Sequence, residues 1–512
     1  MKRINSLRNH LALLVASVFA AFVATAMAEL RLPAVFSDHM VLQRGMAVPV
    51  WGWADDGEVV TVEFRGQKGS ATARDGKWSL KLSSLKAGGA GVLTVTTKTK
   101  QIQLRDVLVG EVWVCSGQSN MEWPLSKSFE PANDIISATN DLIRIFKVSQ
   151  SKLDVPTNDV AGHWELCSPT SVESFSAVGY YFGRSLQRSR GGPVGLIGTY
   201  WGGTPAEAWT REGFLAANPR YKTELIDAFA AAQKEFETGL AAYEKEKAAA
   251  NQSGQSFNKK SPREPWKPAV LYNGMIAPLL PYAIKGVVWY QGESNARNME
   301  QAVQYRTLFP DMIRNWRQDW GQGDFTFVCV QLAPCRAFKP QPDESIWAVL
   351  REAQLHATQV LPNTGMAVIT DVGDEKSIHP LKKAPVGERL ALAVRHIAYR
   401  EKIEFSGPVY RDMKVQGGRI ILRFDHVGEG LEARDGELKG FAICGEDKQF
   451  VWANAKILPD NTVAVSSSEV AKPVAVRYGW ADFPVVNLWS QNGLPATPFR
   501  TDNFAPAAVP QR

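Results

Sequence analysis

From residue 29 onwards, the pattern of hydrophobic and polar residues changes twice along the chain. From residue 29 to 105, short β-rich runs alternate with turns of Gly, Asp and Lys, as at residues 48–53, 59–64 and 93–96. Short strands separated by frequent turns are typical of antiparallel β modules. The same pattern returns after residue 406, for example at 420–424, 441–443, 463–465 and 474–478. We therefore predict an N-terminal β-sandwich module over 29–105 and a C-terminal one over 406–512.

Between residues 106 and 405, continuous apolar runs alternate with amphipathic segments such as 178–188 and 386–399. Apolar runs of strand length are typical of strands that are buried on both faces, and their alternation with helices predicts a parallel sheet covered on both sides. We therefore predict an α/β domain over 106–405. A stretch rich in Ala, Glu and Lys at 218–250 predicts a helical insertion within about 211–265. The predicted strands of the sheet are 107–114, 194–200, 286–289, 325–332 and 366–370.

The first 28 residues have the features of a secretory signal peptide. Three basic residues precede an apolar run at 11–24, and Ala26-Met27-Ala28 has the small-x-small pattern of a cleavage site. We expect cleavage after Ala28 and a periplasmic or secreted protein. No later run approaches ~20 uninterrupted apolar residues, so we expect no membrane span.

Net charge and cysteine content give little information about binding partners, disulfides or metal sites. The formal net charge of +6 over 512 residues gives no indication of a nucleic-acid partner, and we expect none. The five cysteines include Cys329 and Cys335, which could pair across a loop, but no zinc-like Cys-x-x-Cys spacing occurs. The oligomeric state is left open.

Ser119 has the sequence context of a nucleophile. An apolar strand runs into Gly117-Gln118-Ser119, and Gly117 allows the tight turn that would project a hydroxyl beyond the sheet edge. The motif differs from the Gly-x-Ser-x-Gly of α/β-hydrolases because Met121 occupies its last position. An ordinary Ser-Asn turn after a buried strand is the alternative.

A serine nucleophile needs a base, and His379 is the best candidate among the seven histidines. It lies in a loop that follows the predicted strand 366–370, where open α/β sheets bind their ligands. Asp371 and Asp374 are close enough in sequence to orient the imidazole. A metal site made from these three residues would need further ligands, so we predict neither metal nor cofactor.

Donors for a developing oxyanion follow the same predicted strands. They are the backbone N–H of Ser119, the Gly202-Gly203 turn, in particular Gly203, and the side-chain amides of Gln291 and Asn295. The carboxyl ends of parallel strands share one edge of a sheet, so we expect these groups to converge with His379.

Four sequence blocks resemble the sialate O-acetylesterase family of SGNH-type hydrolases. They are Gly-Gln-Ser-Asn-Met at 117–121, Gly-Gly-Thr-Pro-Ala-Glu-Ala-Trp at 202–209, Trp-Tyr-Gln-Gly-Glu-Ser-Asn at 289–295 and Ile-His-Pro at 378–380. The resemblance implies a serine esterase on a flavodoxin-like three-layer αβα fold that removes O-acetyl groups from sugars.

By that resemblance, Ser119 is the nucleophile, His379 the base, Gly203 the second oxyanion glycine, and Gln291 or Asn295 the amide donor. SGNH enzymes commonly carry Asp three positions before the histidine, where this chain has Lys376. Either Asp374 or Asp371 orients the imidazole, or a backbone carbonyl does so and a Ser-His dyad operates.

Aromatic and acidic residues within or next to the blocks are candidates for sugar contacts: Trp123, Trp201, Glu207, Trp209 and Glu293. For Trp289, inside a predicted strand, we expect a place in the core. Glu207 and Arg211 are either polar contacts or a buried pair.

Three other functions remain open at this point. An acetyl xylan or other polysaccharide acetylesterase would use the same chemistry. A glycoside hydrolase could use Glu207 and Glu293 as its carboxylate pair. A non-catalytic carbohydrate-binding protein would account for the β modules and the tryptophans.

Overall fold

The main sheet of the protein, described for residues 29–506 by a computed structural model, combines parallel and antiparallel strands. Six parallel strands run in the order β13-β12-β11-β7-β10-β8, and β9 pairs antiparallel at the β8 edge. The strands up to residue 367 are β1 (Val41–Gln43), β2 (Val48–Trp53), β3 (Val59–Phe64), β4 (Gln67–Thr72), β5 (Lys77–Leu82), β6 (Gly88–Thr96), β7 (Gln101–Gly117), β8 (Asn140–Lys147), β9 (Trp164–Cys167), β10 (Val194–Tyr200), β11 (Gly286–Tyr290), β12 (Thr326–Val330) and β13 (Thr364–Ala367).

Helices cover both faces of the parallel strands. On one face, α4 (Ala177–Arg190) and α10 (Ala384–Tyr399) share a hydrophobic cluster with Trp113 and Cys115. On the other, α8 (Met299–Trp320) and α9 (Ile346–Val360) share a cluster with Val114 and Trp289. The prediction of a parallel sheet within a mixed α/β fold is confirmed. The α-helices are α1 (Ser119–Glu122), α2 (Ala132–Ile136), α3 (Pro169–Glu173), α4 (Ala177–Arg190), α5 (Glu212–Ala216), α6 (Pro219–Tyr221), α7 (Ala228–Gln252), α8 (Met299–Trp320), α9 (Ile346–Val360) and α10 (Ala384–Tyr399).

Strand β7 connects the N-terminal part of the chain to the parallel sheet. Its first half pairs antiparallel with β6, its middle pairs in parallel with β1, and its second half pairs with β10 and β11. The predicted division between residues 105 and 106 therefore falls inside one continuous strand. Strands β2 and β5 form a separate antiparallel pair.

The C-terminal residues form small antiparallel sheets around a core of their own. They pair in the orders β14-β15-β20-β19, β16-β22-β23 and β18-β17-β21-β24. Their strands are β14 (Val409–Gln416), β15 (Arg419–Asp425), β16 (Leu431–Ala433), β17 (Phe441–Cys444), β18 (Val451–Trp452), β19 (Asn454–Ile457), β20 (Val463–Ser466), β21 (Ala475–Tyr478), β22 (Leu488–Ser490), β23 (Leu494–Pro495) and β24 (Phe499–Arg500).

Several local expectations can be compared with the structure. The predicted helical insertion contains α7, a helix without a buried residue. The last parallel strand begins two residues earlier than predicted, and β8 and β9 were not anticipated. Cys329 and Cys335 are both free and buried, so the pairing considered for them does not form. Among the described helices, none combines the length and apolar character needed to cross a bilayer. The predicted signal peptide lies outside the described residues.

Candidate active site

The ends of three neighbouring parallel strands are in register at the site. Gly117 at the end of β7 pairs with Tyr200 at the end of β10 on one side and with Tyr290 at the end of β11 on the other. The segments that follow these residues therefore leave the sheet at the same level. This register brings the Ser119 turn, the Gly202-Gly203 turn and the 291–295 turn together, as the sequence predicts.

Gly117 is required by the close approach of β11. Its φ is +139°, and a Cβ there would lie 2.1 Å from the carbonyl oxygen of Tyr290. The next residue, Gln118, donates its backbone N–H to that same oxygen at 2.9 Å, and its side-chain oxygen accepts from the backbone N–H of Ser294 at 3.2 Å. The turn is thus fixed from both sides before Ser119 begins α1.

The predicted nucleophile and base are in contact. Oγ of Ser119 lies 2.8 Å from Nε2 of His379, and both side chains are partly exposed to solvent. The imidazole stacks on the indole of Trp123, with ring centroids 4.9 Å apart and an interplanar angle of 23°. The indole N–H of Trp123 in turn donates to the carbonyl oxygen of Lys127 at 2.8 Å. Trp123, predicted to contact sugar, therefore supports the imidazole.

Neither candidate carboxylate hydrogen-bonds to His379. Asp371 forms a two-pronged ion pair with Arg389 of α10, at 2.6 and 2.8 Å. Asp374 accepts the backbone N–H of Lys376 at 2.8 Å. In the structure each carboxylate instead contacts another part of the chain, Asp371 through Arg389 and Asp374 through the backbone N–H of Lys376.

Two backbone donors are unpaired beside Ser119. The N–H groups of Ser119 and Gly203 have no hydrogen-bond partner within residues 29–506. Gly202 lies directly against the serine, since a Cβ at Gly202 would be 3.2 Å from Cβ of Ser119. The carboxylate of Glu122 fixes this turn by accepting the N–H of Gly202 at 2.6 Å.

The side chains of Gln291 and Asn295, the two predicted amide donors, are buried and hydrogen-bond to residues that surround the site. Gln291 is fully buried and donates to the carbonyl oxygen of Thr204 at 3.1 Å and to Oδ1 of Asn295 at 2.7 Å, which uses both hydrogens of its amide. Asn295 donates one amide hydrogen to Glu207 at 2.9 Å, so its other hydrogen has no partner within the described chain. Of the two, only Asn295 retains a free donor.

A buried polar network joins the residues next to Ser119 and His379. Asn120 donates to Oε1 of Glu293 at 2.6 Å and to the carbonyl oxygen of Ile378 at 2.9 Å. Its own side-chain oxygen accepts from Nζ of Lys383, which is 1% exposed, at 2.6 Å. The network therefore ties α1 to the loop that carries His379.

Burial shifts the ionisation of this network. Burial lowers the pKa of Lys383 to about 7, although the charge of Glu293 opposes that shift. Burial also raises the pKa of Glu293, against the hydrogen bond from Asn120. The pKa of His379 is lowered first by burial and then by the charge of Lys383, which favours the neutral imidazole that a general base requires.

The other predicted sugar contacts lie in different environments. Trp209 is completely buried and packs edge-on against Trp289, so both belong to the core. Glu207 is buried too, and burial raises its pKa. Arg211 pairs with Asp319 at 3.0 Å, so it does not form the considered pair with Glu207. Trp201 is partly exposed, as a sugar contact requires.

Sequence reasoning missed the supporting residues Asn120, Glu122 and Lys383. Asn120 lies within the Ser119 block and Glu122 just after it, but a hydrogen bond to a residue 80 or more positions away leaves no local pattern. Nothing in the local sequence distinguishes Lys383 from the other lysines, because its burial results from folding. Within the described ranges, no group of three or more His, Cys, Asp or Glu side chains is arranged to hold a metal ion.

Comparison with known proteins defines the class. Residues 260–396 match the family model for a carbohydrate esterase described as a sialic acid-specific acetylesterase. A carbohydrate acetylesterase from Xanthomonas citri, known from its crystal structure, superimposes with a TM-score of 0.80 at 38% identity, covering 93% of this chain and all of that one. The chain is thus a carbohydrate esterase that acts on acetylated sugars.

Full-length relatives define the family. Human sialate O-acetylesterase is 31% identical over 517 residues, which cover 92% of this chain and 92% of the human protein. The mouse enzyme is 30% identical over 525 residues, covering 92% of this chain and 94% of its own. The chain belongs to the sialate O-acetylesterase family.

Proposed function

We propose that this enzyme removes O-acetyl groups from sugars as a serine esterase with Ser119 as nucleophile and His379 as general base. The contact of 2.8 Å between Oγ of Ser119 and Nε2 of His379 carries the proposal. A serine hydroxyl is a weak nucleophile near neutral pH unless a neighbouring base removes its proton. The lowered pKa of His379 supports that role.

The reaction follows from this pair in two steps. Ser119 attacks the acetyl carbonyl while its proton passes to His379, and the sugar hydroxyl leaves with that proton. Water then attacks the acetyl-enzyme with His379 again as base, which releases acetate and restores the serine. The unpaired N–H groups of Ser119 and Gly203 stabilise the oxyanion in both steps, with the remaining amide hydrogen of Asn295 as a third donor.

We infer a Ser-His dyad on a flavodoxin-like three-layer SGNH domain that is flanked by two β-sandwich modules. The helices on both faces of the parallel strands support this fold assignment. Stacking on Trp123 supports orientation of the imidazole without a carboxylate, and the hydrogen bond from the backbone N–H of His379 to Oγ of Ser377, at 3.1 Å, fixes the main chain of that residue. From the N-terminal 28 residues we propose a periplasmic or secreted location.

The proposal is tested by covalent labelling and by substitution. A serine-directed phosphonate is expected to label Ser119, and Ser119→Ala is expected to lose about 10⁴-fold or more of the rate of acetate release. Ser294→Ala, at a buried serine of a neighbouring turn, is the matched control. Retained activity in Ser119→Ala would overturn the mechanism.

A glycoside hydrolase that used Glu293 would lose its activity in Glu293→Gln and keep it in Ser119→Ala, which is the opposite of what the serine mechanism predicts. Glu207 and Glu293 are both buried and each accepts a hydrogen bond from an asparagine amide, which fits a supporting role better than attack on a glycosidic bond.

A panel of O-acetyl sialosides and acetylated xylans separates the sialate substrate from the polysaccharide alternative.

A further inference from the structure

A groove adjoins the Gly202-Gly203 turn that follows β10. Its walls are α7, including Phe236, and the segment 262–266, and Arg297 contributes from the turn after β11. Because Gly202 also lies against Ser119, the groove opens next to the predicted nucleophile. A sugar that presents an acetyl group to Ser119 would extend along it.

Two arginines in this groove have no ion-pair or hydrogen-bond partner in the described chain. Arg263 and Arg297 are exposed, and neither makes an ion pair or a hydrogen bond with residues 29–506. Other arginines near the site are engaged, as Arg389 is with Asp371. An unpaired guanidinium can bind a carboxylate through two parallel hydrogen bonds.

The acidic residues of the groove do not cancel this charge. Glu264 is paired with Lys152 at 2.7 Å, which leaves Glu235 as the carboxylate without a cation partner among the described lining residues. The charge of Arg297 also acts on the buried Glu207, whose carboxylate accepts a hydrogen bond from Asn295. The groove therefore keeps an excess of positive charge.

An aromatic surface lies beside the arginines. The ring of Trp266 lines the groove and meets Trp201 edge-on, with centroids 5.4 Å apart. Both indoles are partly exposed. An aromatic face next to a guanidinium is suited to a ligand that has both a sugar ring and an anionic group.

We propose that Arg263 and Arg297 bind the carboxylate of an acidic sugar whose acetyl ester faces Ser119. The helical insertion then forms the wall that selects acidic over neutral acetylated sugars. This inference rests on the proposed function, because it assumes that Ser119 is the point of attack.

The test compares two substrates that differ only in charge. One is an O-acetylated sialoside with a free carboxylate, and the other is the same compound with that carboxylate converted to a carboxamide. The readout is the ratio of kcat/KM for the acid to kcat/KM for the amide. We expect a ratio well above one in the wild type, and a fall of about tenfold in Arg263→Gln and in Arg297→Gln.

Arg105→Gln is the control, because Arg105 is an exposed arginine in the N-terminal half of β7. It is expected to leave the ratio at the wild-type value. Structural damage would lower both rates and preserve the ratio. A wild-type ratio near one, or a ratio that both variants leave unchanged, would overturn the proposal. Failure of the proposed function has a different signature, namely acetate release by Ser119→Ala.

Discussion

At the scale of single residues, the described contacts of the imidazole of His379 are Oγ of Ser119 and the ring of Trp123, and neither Asp371 nor Asp374 hydrogen-bonds to it. Asp374→Asn is therefore expected to keep kcat for acetate release within about threefold of the wild type, whereas loss of a triad aspartate costs about 10⁴-fold. The asparagine can still accept the N–H of Lys376. Steady-state kinetics on an acetylated sugar provide the measurement, and a loss above about 10³-fold in a folded variant would show that Asp374 does act on His379.

Lys383 is expected to set the pH dependence of the reaction. The base must be neutral, so kcat/KM falls as the pH drops through the pKa of His379, and the acid limb lies below the ordinary histidine value of about 6.5. Lys383 titrates at about pH 7 and is therefore cationic over that limb. Lys383→Met removes the positive charge, so the acid limb is expected to move to higher pH.

The matched control for this prediction is Lys382→Met, which changes the exposed neighbour of Lys383. Profiles of kcat/KM from about pH 4 to 8 measure the shift. If the two variants gave the same acid limb as the wild type, the charge of Lys383 would have no influence on the base.

At the scale of elements, Asn120 couples α1 to the His379 loop and to the turn that carries Glu293. Asn120→Ala is expected to lower kcat by about 10-fold or more, because Ile378 loses its anchor and the two reacting side chains lose their alignment. It should also lower the free energy of unfolding by about 2–4 kcal/mol, because two buried ionisable groups lose a partner.

Asn251→Ala, at an exposed position of α7, is the control for this change. Denaturant titration and kinetics on the same preparations separate the two effects. A normal kcat in a destabilised Asn120→Ala variant would limit the network to a structural role.

At the scale of the whole molecule, the N-terminal strands and the parallel sheet share one hydrophobic core. Tyr282 donates to the carbonyl oxygen of Val41, and Trp164 to that of Val35, both at 2.8 Å. Removal of residues 29–100 would expose this shared core. We expect the remaining chain to be insoluble or to lack a cooperative thermal transition in circular dichroism.

Removal of the residues after 405 is the contrasting truncation, because the C-terminal core is a separate cluster. Arg351 would lose its hydrogen bonds to the carbonyl oxygens of Ala481 and Asp482, so a lower Tm is expected. The truncated chain should nevertheless unfold cooperatively. Equal behaviour of the two truncations would contradict this division of the core.

Local pattern indicated five of the six parallel strands and the turns that follow them, but it did not indicate β8 or β9. Apolar runs marked those five strands, Gly117 marked the turn before Ser119, and the position of His379 after a strand indicated the shared edge. These features are encoded over a few neighbouring residues, through side-chain periodicity and the backbone freedom of glycine.

Folding decided which of the candidate groups are free to act. Asp371 and Asp374 lie near His379 in sequence, but Asp371 pairs with Arg389 and Asp374 accepts a backbone N–H. Gln291 donates both of its amide hydrogens to other groups of the protein. Lys383 acquires its low pKa only because packing buries it. Hydrogen-bond partners and burial depend on contacts between residues far apart in the chain, and no local pattern contains them.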